Sequence, residues 1–136
     1  MMKIVVDTNI MFTFFWERSF TRGLLLNQNL ELVAPVFALE EINEHSAEII
    51  EKTGISEELF VELKTKLGIL VEFIPLEEYS KFLNQASSIP DKDDVDFVAL
   101  ALKTGAPVWS NDPHFKKQSL VETFTTGELI KKLEYE

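Results

Sequence analysis

Short apolar runs alternate with longer stretches of helical periodicity from one end of the chain to the other. The runs are rich in β-branched residues and stop at turn residues. Ile4-Val5-Val6 ends in Asp7-Thr8-Asn9, and Pro107-Val108-Trp109 ends in Ser110-Asn111-Asp112. Segments of this kind read as buried strands. The pattern predicts strands over 3–6, 31–34, 71–74, 107–109 and 122–125. It predicts helices over 9–16, 19–27, 36–51, 56–67, 77–87, 93–104 and 127–134. Thr53-Gly54, Gly68, Pro75, Pro90 and Gly105-Ala106-Pro107 punctuate it. Alternation of this sort argues for parallel strands with helices on both faces. The expected fold is α/β: a three-layer α/β/α sandwich around a central, mostly parallel sheet of four to five strands. No repeat, low-complexity tract or linker divides the chain, so residues 1–136 are expected to form one domain.

Composition supports a core and narrows the chemistry. An apolar content of 46% suffices to fill one hydrophobic core at this length. The absence of Cys removes disulfides, thiol nucleophiles and thiolate-zinc sites together. No apolar run is long enough to span a bilayer and no signal-peptide pattern precedes Lys3, so a cytoplasmic protein with no membrane partner is expected. The net charge of −10 argues against broad electrostatic capture of nucleic acid. It does not exclude a nucleic-acid enzyme, because site carboxylates contribute to it and bound cations reverse it locally.

The acids at the strand ends carry the chemistry. In open α/β sheets the functional crevice lies beyond the carboxyl ends of the strands. Asp7 and Asp112 would meet there, and like charges are costly without a cation, which points to a metal site. Asp7 could instead cap the following helix, yet Thr8 or Asn9 would serve that purpose unaided. Asp112 alone would be a turn residue; its place after a strand raises its weight. Asp94 shares a helical face with Phe97, Val98 and Ala101, so it points inward, where it needs a hydrogen-bond partner or a metal. Asp96 falls on the opposite, solvated side near Lys103, while Asp91 and Asp93 suit the helix N-terminus. Glu40 and Glu41 flank the apolar stripe of their helix almost symmetrically, and periodicity does not choose between them.

The remaining candidates read more plainly. His45 and His114 match no usual zinc spacing and read as surface residues, so hard oxygen coordination is expected. Phe12, Phe14, Phe15, Trp16 and Phe20 exceed what one small helix buries, which leaves them to a two-sided core or to a partner surface. Arg18 and Arg22, which would share a helix face at i, i+4, and Lys116 and Lys117 are candidate phosphate contacts or ordinary surface charge.

Four pieces in order resemble the PIN domain, the metal-dependent ribonuclease fold of VapC-like toxins and many prokaryotic nucleases. They are Val5-Val6-Asp7-Thr8-Asn9; Ala34-Pro35 with Leu39-Glu40-Glu41-Ile42; Asp91-Lys92-Asp93-Asp94 leading into Phe97-Val98-Ala99-Leu100-Ala101-Leu102; and Gly105 to Asp112 with Phe115 after it. The resemblance implies an acidic quartet of Asp7, Glu41, Asp94 and Asp112. It selects Glu41 over Glu40 because the family acid precedes an aliphatic residue, here Ile42. It places Ser110 and Asn9 in support, and it leaves Asp96 as an alternative because the family often has an uncharged residue there. It further implies Mg²⁺ or Mn²⁺ as cofactor, RNA as substrate, a homodimer and, for toxins, an antitoxin partner. A catalytically silent RNA-binding or partner-docking module is the competing reading. The carboxylates would form a hard oxygen cage for one or two cations that generate hydroxide and stabilise charge on the scissile phosphate.

Overall fold

A computed structural model of the chain describes residues 1–134; the last two positions of the expected domain lie outside the described residues. β1 (Met2–Val6) is the central strand, and Ile4, Val5 and Val6 are fully buried, as a strand covered on both faces requires. α1 (Thr8–Phe12) follows immediately, then α2 (Phe20–Leu25) and β2 (Leu30–Pro35). α3 (Val36–Glu44), α4 (Ser46–Thr53) and α5 (Glu57–Leu70) lead to β3 (Val71–Ile74). Two short helices, α6 (Leu76–Tyr79) and α7 (Leu83–Ala86), precede α8 (Val95–Thr104), β4 (Val108–Trp109), β5 (Thr123–Phe124) and α9 (Thr126–Glu134).

The five strands form one sheet in the order β3-β2-β1-β4-β5, parallel throughout. Val5 pairs with Val33 on one side and Val108 on the other. Right-handed crossovers put the β1–β2–β3 connections on one face and the connection carrying α8 on the other, completing three layers. α8 packs on β1, β2 and β4 through a buried run from Phe97 to Ala101. The order of strands reverses between β1 and β4, so a crevice opens at their carboxyl ends. No helix among the described residues is long and apolar enough to cross a membrane.

Several expected helices are shorter or broken. The helix expected over 9–16 becomes α1 and a 3-10 turn, Thr13–Phe15, where the Thr13 hydroxyl donates to the Ile10 carbonyl and competes with helical pairing. The helix over 36–51 breaks at His45, whose backbone leaves helical geometry before α4 resumes. The helix over 77–87 is divided by the 3-10 turn Ser80–Phe82. Gly68, read as a break, lies inside α5, which runs directly into β3; burial of Phe60, Leu63 and Leu67 outweighs its cost of about 1 kcal/mol. A further 3-10 turn runs over Pro113–Lys117, and Asp112-Pro113 is a natural start for one.

Candidate metal centre

Asp7 sits one residue past β1, and its backbone N–H donates to the Trp109 carbonyl at 3.0 Å, tying the ends of β1 and β4 together. It occupies the cap position of α1 but makes no side-chain capping bond. Its buried carboxylate instead accepts from the Ser110 hydroxyl at 2.7 Å. That hydroxyl accepts in turn from the Asp112 N–H at 3.0 Å. One serine thus links the first and last acids across the switch point. Burial pushes the Asp7 carboxyl upward; the Ser110 bond opposes this and the nearby Asp112 charge adds to it.

Glu41 reaches the same place from α3. Its Oε1 accepts from the buried Thr8 hydroxyl at 2.7 Å. Burial raises its carboxyl above the usual range, Thr8 counteracts, and the charges of Asp7 and Asp93 raise it further. Glu40 is exposed on another side of α3, where it borders a depression with Tyr79 and Asp96. Asp96 is not solvated beside Lys103 as expected. It accepts a hydrogen bond from the buried Tyr79 hydroxyl, and Lys103 pairs with Glu78 at 3.8 Å instead. Both less favoured acids therefore lie together, away from the crevice.

Asp94 closes a 3-10 turn, Lys92–Asp94, at the start of α8. Its side chain is only 8% exposed and makes no capping hydrogen bond. Burial, followed by the charges of Asp91, Asp7, Asp112 and Asp93, pushes its carboxyl up to about 7. A carboxylate crowded by four others is unfavourable until a cation joins it. The structure therefore sets Asp94 and Asp112 close to Asp7, and Glu41 close to Asp7 through Thr8, while of these four only Asp94 belongs to a group of ligand atoms within 4.8 Å of one another.

Two residues read from sequence as a helix-start acid and a surface histidine join them. Asp91, Asp94 and His114 each offer a ligand atom, all within 4.8 Å of one another. His114 Nδ1 lies 3.2 Å from both Asp91 Oδ2 and Asp112 Oδ1, with its side chain about half exposed. The signal for His114 was its position two residues after Asp112, since the Asp112 carboxylate accepts from the His114 N–H at 2.9 Å and shapes that turn. Oxygen donors dominate the set, which suits Mg²⁺ or Mn²⁺ better than zinc.

The supporting residues divide. Ser110 contacts Asp7 directly, whereas Asn9 is exposed and opens on an adjoining cleft. Arg18 precedes α2, so it does not share a helix face with Arg22, whose guanidinium lies over the Phe14 ring. Lys116 is engaged within the chain, donating to the Thr123 carbonyl and to Glu128, while Lys117 is exposed. Of the aromatic group, Phe14 and Phe15 are core, Phe12 is half-buried, and Trp16 and Phe20 are exposed.

A parallel sheet with acids gathered at its switch point defines a class of α/β proteins with a candidate metal centre. The model of the PIN domain matches residues 5–134, and the chain belongs to that family. The fold is similar to a chain in the crystal structure of VapBC2 from Rickettsia felis bound to a DNA fragment from their promoter. The TM-score is 0.65 at 15% identity, covering 91% of this chain and 98% of that one. No curated protein matches the chain in sequence.

Proposed function

We propose that this protein is a divalent-metal-dependent ribonuclease that hydrolyses RNA phosphodiester bonds internally. The observation that carries the reading is Asp94, a nearly buried carboxylate without a capping donor, surrounded by Asp7, Asp91 and Asp112. Asp7, Asp94 and Asp112 would hold Mg²⁺ or Mn²⁺, with Glu41 completing the set, and Asp91 and His114 meet Asp94 with ligand atoms within 4.8 Å. When bound, the cation supplies Lewis acidity to the scissile phosphate and to an attacking water. The chain's own groups orient that chemistry: Ser110 fixes the Asp7 carboxylate and Thr8 fixes Glu41. Without bound cations, five neighbouring acids would repel a phosphate.

Family membership and the likeness to a VapBC2 chain support a toxin role with an antitoxin polypeptide as partner. Exposed Phe20 and Leu26 on and beside α2 offer apolar surface for a homodimer. The test is incubation of RNA with Mn²⁺ or Mg²⁺, alongside chelator and Asp7→Asn. Cleavage should require metal and fall more than about 100-fold in the variant. Cleavage unchanged in both controls would overturn the mechanism. RNA binding without turnover in any metal would favour the silent module.

A further inference from the structure

Beside the acids lies an open cleft of about 720 Å³ lined by Asn9, Phe12, Thr13, Trp16, Glu17, Arg18 and Ser19. A second depression, which includes Glu41, shares Asn9, Phe12 and Trp16 with it. The two hollows therefore meet along one aromatic ridge, and Asn9 stands two residues from Asp7. The Trp16 side chain is 38% exposed although Phe14 and Phe15 beside it in sequence are buried.

The charge balance says what such a ridge is for. A chain of net charge −10 has little electrostatic attraction for a polyanion. Lys52, which lines the second hollow, pairs with Glu48, and Arg22 lies over the Phe14 ring. Beyond what cations bound at the acids contribute, affinity for a single strand can come from the bases, and base–aromatic stacking supplies it. We infer that the cleft bounded by Asn9, Phe12, Trp16 and Arg18 is a nucleobase subsite, which seats a base of a single-stranded substrate next to the acids. Trp16 provides the stacking face, the Asn9 amide faces the base edge, and Arg18 meets a flanking phosphate. The inference rests on the ribonuclease reading and extends it to an unpaired substrate.

Trp16 supplies its own reporter. The only other tryptophan, Trp109, is fully buried with its indole N–H donating to Thr126 at 3.0 Å, so a stacked base reaches Trp16 alone, and Trp16→Phe gives the emission change that belongs to Trp109. The full chain is titrated with a short single-stranded oligoribonucleotide and with its abasic counterpart, once in EDTA and once with Ca²⁺ replacing the active metal. The base-bearing strand should quench Trp16 emission and the abasic strand should not. Trp16→Ala should bind about tenfold more weakly, and Trp16→Phe should recover most of the loss. Mn²⁺-dependent cleavage is measured in parallel. Normal cleavage with no quenching, and with an unchanged KM in Trp16→Ala, overturns the subsite and leaves the nuclease standing. Quenching without cleavage in any metal supports the subsite and overturns the nuclease. Equal quenching by the abasic strand, or quenching only by a polypeptide partner, overturns base stacking.

Discussion

Because the Ser110 hydroxyl accepts from the Asp112 amide and donates to Asp7, its removal should loosen both ends of the acid set at once. Ser110→Ala should raise the Mn²⁺ dissociation constant and lower kcat by about 10-fold each, read by calorimetry and by cleavage at saturating metal. Asp94 makes a separate prediction about pH. Its carboxyl is raised to about 7 in the fold from the ordinary 3.8, so the native state binds the proton more tightly. Stability of the metal-free protein should therefore fall as pH rises from about 4 to about 7 and level off above. Asp94→Asn should flatten that slope and stabilise the metal-free protein at pH 8 by on the order of 1–2 kcal/mol once solvent screening is allowed for. Urea unfolding in EDTA at pH 5 and pH 8 measures both; a wild-type protein more stable at pH 8 would contradict the assignment. Of these contacts, only the inward direction of Asp94 followed from helical spacing. The Ser110–Asp7 bond joins residues far apart in sequence, so no local pattern reports it.

At the scale of elements, each acid inherits its position from a secondary-structure boundary. Asp7 and Asp112 follow strands whose ends are aligned by the β1–β4 pairing, and Asp94 is delivered by the turn into α8. α8 is anchored at its other end by Gly105, which ends the helix with φ near 70°, a conformation that strains residues with a Cβ. No neighbour lies within 4 Å of a Cβ built there, so only the backbone resists substitution. Gly105→Ala should destabilise the protein by about 1 kcal/mol in urea unfolding, with the Mn²⁺ dissociation constant unchanged. A loss of metal affinity there would mean that the helix shifts as a body. The strands and α8 were legible because their burial leaves continuous or one-sided apolar patterns. The breaks at Thr13 and His45 were not, because the surrounding residues keep helical periodicity through them.

For the whole molecule, the net charge of −10 and a crevice containing five acids make the metal-free state self-repelling. Divalent cations that bind the native state alone should stabilise it: Mn²⁺ at about 100 times its Kd adds ~2.7 kcal/mol and raises Tm by roughly 10 °C. Differential scanning calorimetry with and without EDTA tests this independently of any RNA; an unchanged Tm would remove the cation from the site. Local periodicity and turn chemistry were enough to place the α/β alternation, the strand ends where Asp7 and Asp112 stand, and the inward phase of Asp94. Family resemblance singled out Glu41 where periodicity left Glu40 equal. It took the folded chain to show that Thr8 holds Glu41 near Asp7, that Tyr79 claims Asp96, and that Asp91 and His114 border the acids. Those contacts join separate elements brought together by the order of strands in the sheet, and proximity of that kind leaves no trace in the spacing along the chain.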